Sequence, residues 1–225
     1  FMTKFSKILS NKIKLSKQEI LNDYYLINKS RNISLIGRKE VFMGRAKFGV
    51  FGDGKELPQI AMSKVFKNGD IRAGYYRDQT FMMAIDQLNS EQFFAQLYAN
   101  TDILKDPHSG GRQMNSHFAT RMLNNKGEWK TLTDMKNSSS DVSCVAGQMP
   151  RLIGLAYASK LYRKNKELKN YPDFSVNGNE IAFGTIGNAA TSEGHFWETI
   201  NAAGVLQIPM ILSIWDDDYG ISVPS

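Results

Sequence analysis

Cysteine is nearly absent from this chain: Cys144 is the single one in 225 residues. No intrachain disulfide can form, which fits a reducing compartment, and the expected location is the cytoplasm. A long apolar run is missing as well. The longest stretch, AAGVLQIPMILSIW from Ala202 to Trp215, is too short to span a bilayer and carries Gln207 and Pro209. No membrane partner is expected. Met2-Thr3-Lys4 leads into a lysine-rich polar segment without an apolar core, so no signal peptide is expected either. Helix-turn-helix, zinc-finger and aromatic RNA-binding signatures are lacking, and nucleic acid is not an expected partner. Internal repeats are lacking too.

What is present is ordinary for a globular protein: 42% hydrophobic and 22% charged residues. The net charge of +6 is unevenly placed. Residues 1–47 hold 11 Lys/Arg against 3 Asp/Glu, and the remainder holds 17 against 19. Two parts are therefore expected. One is an irregular basic N-terminal arm over 1–47, solvated and partly mobile. The other is an α/β domain over 48–225, with a mostly parallel sheet flanked by helices.

Periodicity places the elements. A weak helical pattern covers Lys17–Ile27, and Arg38–Gly54 reads as turns and short strands. Helices are expected at Pro58–Phe66, at Thr80–Asn100 with a break near Asn89-Ser90, and at Gln148–Arg163. Asp106–Ser140 is polar and reads as one long loop, a kind that is usually functional or mobile. The last third is the clearest. EIAFGTI (Glu180–Ile186) reads as a buried strand. Ser192–Leu206 reads as a helix that Ser192 can cap, and PMILSIW (Pro209–Trp215) as a second strand. That unit implies a parallel pair joined by a right-handed crossover. The loops GNAATS and WDDDYG then share the carboxyl edge, where open α/β sheets bind ligands.

A diphosphate needs N–H donors and a counter-cation. Gly187, Ala189 and Ala190 are small enough to let backbone amides approach it. Mg²⁺ needs about six oxygens, one or two of them from carboxylates. Asn188 offers a carboxamide oxygen, and Asp216, Asp217 and Asp218 offer carboxylates. G-x-G-x-x-G is absent, and no lysine follows the loop as a P-loop requires.

These two loops resemble the metal and diphosphate element of thiamine diphosphate enzymes. In those, Gly-Asp-Gly is followed nearly thirty residues later by an Asn pair. Asn188 and Asp217 lie 29 residues apart, the spacing of the 2-oxo acid dehydrogenase branch. Over roughly Gly44–Ser225 the chain is similar to the α subunit, or α-like half, of its decarboxylating dehydrogenase component. GYYRDQT (Gly74–Thr80) is similar to the family's Tyr-Arg-acid element, which implies that Tyr76 and Arg77 bind the diphosphate. GRQMNSHF (Gly111–Phe118) implies His117 near the active centre; read from the residues alone, His117 either lines that centre or makes a hydrogen bond within its loop. SCVAGQMP (Ser143–Pro150) implies Ser143 near the diphosphate and the backbone of Val145 against the aminopyrimidine. The resemblance implies thiamine diphosphate and Mg²⁺ as cofactors, with the metal held by Asn188, Asp217 and the carbonyl of Tyr219. It also implies oxidative decarboxylation of a 2-oxo acid and transfer of the acyl fragment to a lipoyl group. The implied partners are a β subunit or β-like half, which supplies the activating acid, and a lipoyl-bearing acyltransferase component. A dimer or heterotetramer is the implied assembly. The family's later histidine-bearing loop is not among these residues, so a piece of a longer protein, inactive alone, is expected.

The departure lies in the metal ligands. Asn188 stands where the family has an acid, and Asp217 stands where it has an Asn. A swap keeps one carboxylate and one carboxamide on the metal; the competing expectation is a non-catalytic assembly subunit with a degenerate site. The literal Gly52-Asp53-Gly54 has no acid or Asn pair at the same spacing and reads as a turn. His108 is expected to be exposed in its loop, His195 to be structural, and Cys144 to be a small packed residue.

Overall fold

The computed structural model describes residues 15–224. The lysine-rich start of the arm, and with it the signal-peptide expectation, lies outside them. Helix α1 spans Lys17–Phe42. Its start follows from a capping box: Glu19 N–H donates to Ser16 Oγ at 3.2 Å, and Ser16 N–H donates to Glu19 Oε2 at 2.8 Å. The expected irregular arm is thus a helix over most of its described length. Its buried residues are Ser30, Ile33, Ser34, Gly37 and Glu40, a proper helical stripe made of small and polar side chains. Apolar periodicity cannot see such a face. Ser30 Oγ pairs with Thr80 Oγ1 at 2.7 Å, and Gln79 Nε2 donates to Ser30 Oγ at 3.0 Å and to Ser34 Oγ at 3.2 Å. Turns, not strands, connect α1 to α2 (Glu56–Ser63).

Strands β1 (Ile71–Ala73), β2 (Asn137–Ser138), β3 (Ala182–Gly187) and β4 (Met210–Trp215) form one sheet in the order β2-β1-β3-β4. Every pair in it is parallel. The expected strand–helix–strand unit is β3, α6 (Gly194–Leu206) and β4, in register from Ala182↔Met210 to Gly187↔Trp215. Between β1 and β2 run α3 (Gln79–Ala84), α4 (Ser90–Leu97) and the long loop. The first helical stretch ends at Ala84, and Asn89 caps the second, its carboxamide oxygen accepting from Gln92 N–H at 2.9 Å. Helix α5 (Gln148–Lys164) carries Pro150 in its first turn, where a missing N–H costs no helical bond. A short antiparallel pair, β5 (Tyr219–Gly220) with β6 (Val223–Pro224), ends the described chain.

Alternation along β3 divides the core. Phe183 joins Phe66, Phe81, Phe93, Phe118 and Trp215 on one face. Ala182 and Ile186 join Met149, Leu152, Ala156 and Phe196 on the other. Each fully buried Phe contributes about 1.5–3 kcal/mol. Gly184 lets α5 settle onto the sheet, because a Cβ there would collide with the Leu152 side chain.

Candidate functional site

The chain leaves β1 toward β2 on one side and returns to β3 on the other. The gap between the carboxyl ends of β1 and β3 is therefore the switch point of the sheet, where such folds bind ligands. A pocket of about 300 Å³ opens there. Among the residues lining it are Tyr76, Arg77, Val145, Gly187, Asn188, Ala189, Ala190, Asp217 and Tyr219. Distant loops expected to share one site thus meet at one pocket.

Asp78 holds the Tyr-Arg turn in place. Its Oδ2 accepts from Arg72 Nε at 2.7 Å, from Tyr75 N–H at 3.3 Å and from the Thr185 hydroxyl. Its Oδ1 accepts from Trp215 Nε1 at 2.9 Å. One carboxylate therefore ties β1, β3 and β4 together at their site-facing ends. Arg72, completely buried, also forks onto Asp141, with both contacts at 3.0 Å. Burial pushes the Asp141 carboxyl up, and the Arg72 charge pulls it back only in part. Gly74 is required here because a Cβ would strike both Arg72 and Asp78.

Two expected site residues, His117 and Ser143, stand next to the pocket-lining residues Val142 and Cys144 without lining the pocket themselves. They meet each other, with Ser143 Oγ 2.9 Å from His117 Nε2. His117 is buried, and Gln96 Nε2 donates to its carbonyl at 2.7 Å. The loop–helix junction also differs. A 3-10 turn over Ala189–Ser192 follows β3, and α6 begins only at Gly194, without a side-chain cap from Ser192. The helix N-terminus is thus set back from Asn188, leaving the approach to backbone and side chains.

Three minor expectations come out differently or are refined. Cys144 is exposed at the pocket rather than packed. His108 is partly buried, its ring edge-on to Phe118 at 5.4 Å and its Nδ1 2.9 Å from the Ala119 carbonyl. His195 sits in the first turn of α6 with Nε2 3.1 Å from the Val145 carbonyl, a contact that steadies the pocket-lining Val145 loop.

One pocket residue carries no sequence motif. Lys55 follows the Gly52-Asp53-Gly54 turn, and its Nζ lies 2.9 Å from Asp217 Oδ2. Its side chain is 7% exposed, against 47% for Asp217. The hydrogen bond from Lys55, with Arg77 adding to it, holds the Asp217 carboxyl below the usual carboxylate range. The turn is a turn, as expected: Gly54 has φ +96°, and Asp53 pairs with Arg38 at 2.8 Å. Gly52 packs against the Arg77 backbone, where an added Cβ would lie 2.5 Å from the carbonyl oxygen. Only a charged residue beside that glycine turn could have signalled Lys55.

Known proteins resemble this chain over most of its length. The family described as dehydrogenase E1 component matches residues 29–225. The 2-oxoisovalerate dehydrogenase subunit alpha of Bacillus subtilis (strain 168) is 27% identical over 215 residues, covering 93% of this chain and 54% of its own length. The mitochondrial subunit alpha of Homo sapiens is 26% identical over 211 residues, covering 94% of this chain and 40% of its own. The mitochondrial subunit alpha 2 of Arabidopsis thaliana is 24% identical over 182 residues, covering 81% and 32%. The chain spans about half the length of these relatives, or less. With the match running from within α1 to the last residue, the chain belongs to the dehydrogenase E1 component family, as an alpha-like component of the thiamine diphosphate-dependent 2-oxo acid dehydrogenases.

Proposed function

We propose that the protein containing this chain oxidatively decarboxylates a 2-oxo acid with thiamine diphosphate and passes the acyl fragment to a lipoyl group. The observation that carries this reading is the switch-point pocket, where the Tyr76-Arg77 turn, the Gly187–Ala190 loop and Asp217 converge. The cofactor, when bound, supplies the carbon nucleophile that makes carbon dioxide a leaving group. This chain's residues bind and orient it. Arg77 offers a planar fork of donors to the diphosphate. Small side chains at Gly187, Ala189 and Ala190 leave room for backbone amides to approach. Asn188 suits an anion as well, since its Nδ2 is buried and has no hydrogen-bond partner among the described residues. The backbone of Val145 would meet the aminopyrimidine.

The diphosphate fits; the magnesium ion expected between Asn188 and Asp217 fits poorly. Asn188 brings no charge, and the Asp217 carboxylate is already bonded to an ammonium. Two unit charges 4 Å apart interact by about 4 kcal/mol at an effective dielectric of 20; a dication beside Lys55 meets roughly twice that repulsion, which offsets its attraction to Asp217. No step is therefore assigned to a metal.

The partners in this reading are a β subunit or β-like half, which brings the activating acid, and a lipoyl-bearing acyltransferase. The assembly is a dimer or heterotetramer. 2-Oxoisovalerate is the first substrate to try, because the relatives' names carry it. The test is carbon dioxide release from 2-oxo acids by the native-length protein with its β half, with and without thiamine diphosphate. Cofactor-dependent release is expected. No release from any 2-oxo acid, with folded protein and assembled partner, sinks the reading. The altered Asn188/Asp217 pair favours the second reading, a non-catalytic assembly subunit, which that outcome would support.

A further inference from the structure

Lys55 lies outside every motif that carries the family resemblance, yet it is among the most enclosed cations of the described residues. Its side chain is 7% exposed. A buried ammonium persists only where counter-charge and hydrogen bonds replace its lost hydration. An ammonium has three N–H donors. Asp217 accepts one, and Lys55 itself lines the pocket, so the others are available to an acceptor that enters.

The rest of the lining points the same way. Its charged side chains are two cations, Lys55 and Arg77, and one carboxylate, Asp217. The charge balance is positive before any metal arrives. A magnesium site needs the reverse, with carboxylate oxygens free to coordinate. Here Lys55 competes directly for the one carboxylate. Asn188 adds a neutral amide, which repels neither the diphosphate nor Lys55. The turn that carries Lys55 is pressed against Arg77 by the Gly52 contact, so the two cations belong to one packed unit.

We infer that Lys55 takes the place of the divalent metal: the pocket holds a diphosphate between two side-chain cations, Lys55 and Arg77, and Asp217 positions Lys55 instead of ligating an ion. This rests on thiamine diphosphate being the ligand of the pocket. The inference can fail while the proposed function stands.

The experiment is a calorimetric titration of thiamine diphosphate into the native-length protein with its β half, once in EDTA and once in excess Mg²⁺. Saturable binding in EDTA, with affinity within about threefold of that in Mg²⁺, is expected. Binding only in Mg²⁺ overturns the inference and leaves the proposed function standing. Absence of binding in both conditions overturns the two together. Variants supply a second reading. Lys55→Met is expected to weaken binding in EDTA by about a hundredfold, with Mg²⁺ recovering much of the loss because Asp217 is released. Asp217→Asn is expected to keep EDTA binding within about tenfold. If Asp217→Asn instead abolishes binding in Mg²⁺ while Lys55→Met leaves EDTA binding unchanged, Lys55 is not the cation of the site.

Discussion

Arg72 carries the heaviest electrostatic load of any single side chain in the described residues. It faces two buried carboxylates, Asp78 and Asp141. The consequences of losing each partner differ. Asp78→Asn leaves Arg72 forked onto Asp141, one cation with one anion. Arg72→Met leaves two carboxylates buried without a cation. Breaking a buried pair in that way costs about 3–5 kcal/mol. Urea unfolding at neutral pH should therefore rank Arg72→Met well below Asp78→Asn; equal losses would show that hydrogen bonding to Asp78, not charge, holds the turn. A second residue gives stability a pH dependence. Burial holds the His108 imidazole below its ordinary value of 6.5. The unfolded chain takes up that proton more readily, so the native state keeps its full share of stability above pH 6.5. That share is lost as pH falls below it. Unfolding midpoints across this window should slope downward toward acid, and His108→Gln should flatten the slope.

At the scale of elements, the helix start and the glycine turn can be tested. Ser16→Ala removes one half of the α1 capping box and should cost about 0.5–2 kcal/mol by thermal or urea unfolding. Gly52→Ala drives a Cβ into the Arg77 backbone, and such overpacking costs about 1–3 kcal/mol. Because this contact joins the Lys55 turn to the Arg77 turn, the same variant should lose affinity for thiamine diphosphate. Unchanged affinity would mean that the two turns adjust independently. Most of these elements could be read from the residues. Helices α2, α4 and α5 and the β3-α6-β4 unit carry their own periodicity, caps and breaks. Helix α1 beyond Ile27 could not be read this way. Its buried stripe is Ser30, Ser34, Gly37 and Glu40 around one Ile33, so the signal that normally marks a buried helical face is missing.

At the scale of the molecule, exposed apolar side chains occur on several elements, α6 and the sheet-edge strand β4 among them. Trp197 is 62% and Val205 75% exposed on α6, and Ile214 is 47% exposed on β4, an edge of the described sheet. Exposed patches and unpaired strand edges favour association. If the proposed β half covers these surfaces, amide exchange in α6 and β4 should be slower in the assembled protein than in the 225-residue chain alone. Equal exchange in the two samples would show that these surfaces face solvent in the working assembly.

By itself the sequence determined the parallel α/β architecture, the loops at its carboxyl edge and the family, because these rest on local periodicity and fixed spacing along the chain. Tyr76, Arg77, Asn188 and Asp217 were picked out as candidates for that reason, and the fold brings them to one pocket. The tertiary structure alone decided which side chains face them. It paired His117 with Ser143, tied three strand ends to Asp78, and brought Lys55 onto Asp217. Such contacts join residues far apart in the chain, and their partners are chosen by packing and charge compensation inside the fold. Neither leaves a trace in spacing. The cation that stands beside the candidate diphosphate site was for this reason found only in three dimensions.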